Sequence, residues 1–186
     1  MSARAETVER TRRQILDAAI GLFRERPFDL VSLAEVAQAS QLSLATVVRQ
    51  FSTKDQLFAA AVMEARQVLE GEGMRIPPND PAAAVHSIVA NYERFGDNIV
   101  RLLAQEDRVP AIREVTDHGR EFHRSWTERA FAGTLSRLDG RARRVRFAQL
   151  VAATDVLFWK VLRRDLELSR REVESAMTEV VDALCH

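Results

Sequence analysis

Apolar residues recur at helical spacing along most of this chain, and short polar or Pro/Gly-containing stretches interrupt them. Ile15, Ala19, Leu22 and Phe23 form one stripe, which predicts a first helix from about Thr7 to Arg26, closed by Pro27. Phe28 and Leu30 read as core plugs. Ser32 and Glu35 stand at capping-box spacing ahead of Leu33, Val36 and Ala37, which predicts a short second helix. After the turn Ser40-Gln41-Leu42-Ser43, Ser43 caps a third helix from Leu44 to about Phe51. Leu42, Val47 and Phe51 can pack on Val36 and Ala37, since positions four apart share a helix face. The other face then carries Ala45, Thr46 and Arg49, flanked by Val48 and Gln50. Two short helices joined in this way have the layout of a helix-turn-helix.

Ser52-Thr53-Lys54-Asp55 opens a fourth helix running to about Glu70, with Leu57, Phe58, Ala61, Val62, Ala65, Val68 and Leu69 on a broad face. The stretch GEGMRIPPNDP, 71–81, is the break. A fifth helix is expected over 82–95, ended near Gly96, and a sixth over 98–105. A long seventh runs from Pro110 to about Leu138, with a kink expected near Gly119 or Gly133, until Asp139-Gly140 stops it. The eighth is expected over 141–164. Ser169 and Glu172 repeat the capping-box pair and start a ninth, with Val173, Ala176, Met177, Val180, Val181 and Leu184 inward. The fold class is all-α, about nine helices. From Phe147 to Leu162 only Asp155 and Lys160 are charged, so the eighth helix needs burial on most sides. A second copy or a larger core in the same chain could supply it.

Seven glycines and five prolines in 186 residues agree with helices. Basic and acidic residues balance at 27 each, so net charge points to no partner. Locally the picture differs: 40–54 contains Arg49 and Lys54 and no carboxylate. Met1 to about Glu6 reads as a polar arm. Its Arg4, with Arg10, Arg12 and Arg13, can approach phosphates or remain a solvated face. The one cysteine, Cys185, excludes an internal disulfide and a cysteine-cluster zinc site. No signal-peptide pattern or membrane-length apolar run is evident, so the expected location is cytoplasmic. Glu114, His118 and Glu121 share a helix face at a spacing that could form a metal row, but a polar, solvent-facing stripe is the ordinary reading of such a pattern and the one adopted. No nucleophile constellation, phosphate loop or catalytic carboxylate pair stands out, so no enzyme activity, cofactor or metal is expected.

The segments TRRQILDAAIGLFRERPFD, SLAEVAQASQLSLATVVRQF and STKDQLF, spread between Thr7 and Phe58, resemble the N-terminal DNA-binding domain of TetR-family transcriptional regulators. Three positions depart from the family pattern. Pro27 and Gln41 stand where glycine is usual, and Val48 stands where a phosphate-contacting tyrosine is frequent. The resemblance implies a three-helix DNA-binding domain over 1–53 and a helical regulatory and dimerisation domain over 54–186. It places Ser43, Leu44, Ala45, Thr46, Val48, Arg49 and Gln50 at DNA. Arg49 would meet guanine or phosphate; Ala45 and Leu44 would make apolar base contacts. Thr46 would donate to phosphate, with Lys54 at the fourth helix N-terminus and Arg4 on the backbone.

The same resemblance implies a small, mostly apolar effector held among the fifth to eighth helices. Candidate wall residues are Tyr92, Phe95, Leu103, Phe122, Trp126, Phe158 and Trp159, each of which ordinary core packing would also explain. It further implies that the last two helices pair with their copies in a four-helix bundle. Leu150, Val151, Thr154, Phe158, Val161, Val173, Met177, Val180, Val181 and Leu184 are the interface candidates. The expected function is a homodimeric repressor, released from a palindromic double-stranded operator by a small molecule. The alternatives are a helical metal-dependent enzyme, and an adaptor that binds partner helices without DNA.

Overall fold

The computed structural model of the protein describes residues 3–72 and 80–186, and the side chains of 5–65 and 80–186. Every regular element among the described residues is helical, with no strand among them. The elements are α1 (Ala3–Glu25), a 3-10 turn (Phe28–Leu30), α2 (Leu33–Ala39), α3 (Leu44–Gln50) and α4 (Lys54–Glu72). They continue with α5 (Pro81–Leu103), α6 (Pro110–Ala130), α7 (Ala132–Leu135), α8 (Gly140–Ala153), α9 (Val156–Lys160), a π turn (Val161–Asp165) and α10 (Arg170–Cys185). Two compact units result. One comprises Met1–Gly71 with Glu106–Val115, the other Glu72–Gln105 with Thr116–His186.

In the first unit the expected stripe of α1 is buried at Ile15, Ala19 and Phe23. The helix begins at Ala3 instead of Thr7; nothing before Pro27 forbids helical geometry, so the polar arm is helical from its third residue. Phe23, Phe28 and Phe58 close the core as a trio. Phe28 stacks on Phe23 at 5.8 Å, and Phe58 meets both edge-on at 5.0 and 5.2 Å. Such pairs are stabilising by about 0.5–1.5 kcal/mol beyond burial. Leu30, expected inside, is 62% exposed. The tight turn sends only Phe28 inward, and Arg26 bonds the Leu30 carbonyl.

The second unit has a core of Ala84, Val85, Ile88, Val89, Tyr92, Trp126, Ala130, Phe131, Leu135, Leu150, Val156, Trp159, Val173, Met177 and Val181. α10 packs on α5 and α8, and α5 packs on α9. Gly96 does not end a helix: α5 continues through it to Leu103. The expected fifth and sixth helices are therefore one, because Gly96 accommodates the Trp159 ring where a side chain could not fit. The kink after α6 falls at Phe131 (φ −113, ψ 24), between Gly119 and the Gly133 expected to mark it. The expected eighth helix is broken at Thr154. Asp155 re-caps the chain by accepting from the Leu157 amide at 2.8 Å, a competition typical of short polar side chains.

Candidate functional site

The candidate site, the helix-turn-helix surface, is built from α2 upward. Ser32 Oγ accepts from the Glu35 amide at 3.2 Å, while Glu35 Oε2 accepts from the Ser32 amide at 2.8 Å. Arg26 Nη1 donates to Glu35 Oε1 at 2.7 Å, and these contacts hold the Glu35 carboxyl down at a pKa of about 2. At the other end Ser40 is the C-cap, and Gln41 takes φ +56. The Gln41 amide donates to Gln38 O at 3.1 Å and the Leu42 amide to Ala37 O at 2.9 Å. These are the paired bonds of a Schellman motif with Gln41 at its left-handed position. Gln14 of α1 clamps the corner by donating Nε2 to Ser40 O at 2.6 Å.

This corner sets the register of α3. Ser43 Oγ accepts from the Thr46 amide at 3.1 Å and lies 2.9 Å from Thr46 Oγ1. Val47 and Phe51 are buried. At about 100° per residue, Ala45 and Arg49 then lie opposite Val47, with Val48 and Thr46 on the flanks. Accordingly Ala45 and Arg49 are exposed, Leu44 and Val48 are 47% and 44% exposed, and Thr46 and Gln50 are half-buried. One unit thus brings Ser43, Leu44, Ala45, Thr46, Val48, Arg49 and Gln50 onto a single helix surface. Its exposed apolar side chains surround one guanidinium.

Lys54 is half-buried and does more than point outward. Its Nζ donates to Phe28 O at 3.0 Å and lies 4.3 Å from the centre of the Phe28 ring. The ammonium therefore ties the start of α4 to the turn after α1, keeping further N–H donors for another partner. Arg12 likewise lies over the Phe51 ring at 4.8 Å. Arg10 and Arg13 are exposed, and the Arg4 side chain lies outside those described. Sequence reasoning missed Gln14 and the inward role of Lys54, because neither contact is periodic; both bridge 26 positions.

In the second unit the expected wall residues divide. Tyr92, Trp126 and Trp159 are buried in the common core, with Leu103 and Phe158 packed against it. Phe95 and Phe122 are half-buried. Tyr92 donates its hydroxyl to Thr154 O at 2.9 Å and stands 5.9 Å from Trp159. Burial pushes the Tyr92 phenol well up. His123, not singled out beforehand, stacks on Trp126 at 5.9 Å and sets Nε2 3.0 Å from Thr154 Oγ1. Thr154 Oγ1 already donates to Leu150 O at 2.8 Å, so the hydrogen-bond network assigns the proton between them to His123 Nε2. Burial lowers the His123 pKa, partly opposed by the Asp155 carboxylate. A signal was available in the sequence: His123, Trp126, Thr127 and Ala130 share one face at i, i+3, i+4 and i+7.

Leu150, Thr154, Val173, Met177 and Val181, counted among the interface candidates, are fully buried within this single chain. Val151, Phe158 and Leu184 are half-buried, whereas Val161 and Val180 are 43% and 40% exposed. Glu114, His118 and Glu121 are exposed, and among the described residues no group of three metal-ligating side chains converges. No described helix is long and apolar enough to cross a membrane.

Residues 15–61 match the family of bacterial regulatory proteins, tetR family. No curated protein matches the sequence. The fold is similar to that of a transcriptional regulator from Rhodococcus sp. Rha1, with a TM-score of 0.71 at 19% identity, covering 93% of this chain and 95% of that one. It is also similar to a TetR transcriptional regulator from Rhodococcus sp. RHA1, with a TM-score of 0.55 at 22% identity over 99% and 97% of the two chains. A third similar structure is multidrug binding protein EbrR complexed with proflavin, with a TM-score of 0.57 at 21% identity over 91% and 99%. The helix-turn-helix head thus carries the match to bacterial regulatory proteins of the tetR family, and the chain as a whole has a fold similar to that of solved transcriptional regulators.

Proposed function

We propose that the protein is a homodimeric repressor that binds a palindromic operator and leaves it when a small molecule occupies the regulatory part of the chain. Residues 1–53 serve as the DNA-binding domain and 54–186 as the regulatory and dimerisation domain. The observation that carries the DNA reading is the α3 surface: Ala45 and Arg49 stand opposite the buried Val47, with Leu44 and Val48 exposed beside them. A bulky apolar side chain exposed on a seven-residue helix costs solvation free energy that contact with thymine methyls and sugar edges recovers. Ser43, Thr46 and Gln50, with Lys54 and Arg4, supply backbone contacts that position the helix without reading sequence.

A dimer places two such helices in successive major grooves, about 34 Å apart. The exposed apolar atoms of Val161 and Val180, with Val151, Phe158 and Leu184, support pairing through the C-terminal helices. Release by an effector is a population shift, effective only to the extent that the effector binds the two forms unequally. EbrR, similar in fold, is a multidrug binding protein seen with proflavin, and an aromatic core of Tyr92, Trp126 and Trp159 is compatible with such a role here.

Selection of binding sequences from a random DNA pool tests this reading. Enrichment of a palindrome with half-sites about one helical turn apart is the expected result. Recovery of DNA without sequence preference at moderate salt would refute it.

A further inference from the structure

The two flanks of α3 differ in chemistry. Counting about 100° per residue from the buried Val47, Leu44 and Val48 fall one turn apart on one flank, and Thr46 and Gln50 fall on the other. Ala45 and Arg49 form the crest between them. The polar flank is turned back toward the domain. Thr46 and Gln50 are half-buried, and Thr46 Oγ1 lies 2.9 Å from Oγ of Ser43, the helix cap. The apolar flank is turned out: Leu44 is 47% exposed and Val48 44%. Arg49 is the one charged side chain of the helix. Entering a groove with this surface presents hydrogen-bond donors at Arg49 and only hydrocarbon at Leu44, Ala45 and Val48.

We infer, resting on the DNA reading above, that the Leu44–Val48 ridge recognises the C5-methyl group of a pyrimidine, so that thymines face it in each half-site and 5-methylcytosine can replace them. In the major groove the thymine methyl is the one apolar mark among the base edges; the others present donors and acceptors. Hydrocarbon laid on a donor or acceptor leaves it desolvated and unpaired, which is penalised. Laid on a methyl group that projects into the groove, it buries apolar surface on both partners. Neither Leu44 nor Val48 has a side-chain donor or acceptor, so neither can tell the O4 of thymine from the N4 amino group of cytosine by a hydrogen bond. What the ridge senses is the methyl group that thymine and 5-methylcytosine share and cytosine lacks. Methylation of cytosine at C5 thus turns a poor half-site into a good one.

The test uses the full chain and the palindrome recovered from the random pool, prepared as synthetic duplexes. Deoxyuridine in place of each thymine in turn removes one methyl group and changes no hydrogen-bonding edge. At thymines facing the ridge, affinity is expected to fall about fourfold for each methyl lost. Replacing the same T·A pair by C·G should weaken binding at least as much, and 5-methylcytosine in that C·G pair should recover about fourfold. Leu44→Ala and Val48→Ala alter exposed positions where alanine favours the helix, so both variants should fold. Each should bind the thymine and deoxyuridine duplexes equally at the position it faces. Indifference to deoxyuridine throughout the site, or equal binding of cytosine and 5-methylcytosine, overturns methyl recognition and leaves the DNA reading standing on its palindrome. Discrimination that survives in both variants overturns it as well, since another residue then reads the methyl group. A pool that yields no preferred sequence refutes the DNA reading itself, and methyl recognition with it.

Discussion

Trp159 lies flat against the backbone of Gly96: a Cβ on Gly96 would sit 2.6 Å from Trp159 Cη2 and 2.9 Å from Cε3. Neither ring nor helix has room to yield. The indole is tied to Glu93, faces Tyr92 at 5.9 Å and is covered by the Arg164 guanidinium at 4.9 Å. Gly96→Ala would gain about 1 kcal/mol of helix propensity but overpack this contact, which typically costs ~1–3 kcal/mol. Net destabilisation of the second unit is expected, read by urea unfolding with tryptophan fluorescence. Combining it with Trp159→Leu should recover the loss, with Trp126 remaining as reporter. An additive double-mutant cycle would show that the two residues do not clash.

The Schellman corner of the helix-turn-helix is completed by a residue poorly suited to it. Gln41 holds φ +56, a region that costs an L-residue roughly 1–2 kcal/mol and glycine little. Its side chain is exposed, so Gln41→Gly removes strain without opening a cavity. The expected outcome is slower amide hydrogen exchange in α2 and α3 by about tenfold, set against the greater unfolded-chain freedom of glycine. Faster exchange would mean that the Gln41 side chain contributes more than its backbone strain costs.

Arg49 is the one guanidinium on the outward face of α3, so its loss should affect sequence reading more than general affinity. Arg49→Ala is expected to weaken selected-site binding by ~1–3 kcal/mol and to relax preference at one position of each half-site. Binding titrations on single-base variants of the selected site measure this; an unchanged preference at every position would assign Arg49 to phosphate.

Lys54 is tied to Phe28 and is proposed to meet phosphate, and one substitution separates the two roles. Lys54→Gln removes the cation over the Phe28 ring, at a cost of about 0.5–2 kcal/mol, and should lower the melting temperature of the first unit. A phosphate contact adds a second effect: the slope of log affinity against log salt falls by about one. Lower stability with an unaltered slope would make the Phe28 tether its whole role.

What the sequence disclosed was whatever obeys a local period or a local cap. The Ser32–Glu35 and Ser169–Glu172 boxes are both present as spaced, and the buried Val36, Val47 and Phe51 follow from helical periodicity alone. Long-range fit was not legible. Gly96 read as a stop because a glycine carries no record of the ring that will lie on it. The run from 141 to 164 read as one helix because a competing Asp155 cap and a continuing helix draw on the same residues. The face of α3 was recoverable because one buried valine fixes it, whereas His123 was overlooked because its partner Thr154 lies 31 positions away.

His123 makes stability depend on pH in a predictable direction. Burial is the largest influence and favours the neutral ring; the Asp155 carboxylate and the Thr154 backbone favour the cation, and Arg124 opposes it. The net effect lowers the folded-state pKa below the ordinary 6.5. The unfolded chain therefore binds this proton more readily than the native one. The stabilisation is complete above about pH 6.5 and declines as pH falls below it, with a slope of at most ~1.4 kcal/mol per pH unit, until the folded-state pKa is passed. His123→Gln keeps a donor for Thr154 Oγ1 and cannot titrate, so its stability should fall less than that of wild type as pH is lowered through this window. Melting temperatures of both proteins across the window decide the matter. Parallel curves would mean that the imidazole ionises in the folded protein as easily as in the unfolded chain, and that the Thr154–His123 contact accommodates the charged ring without cost.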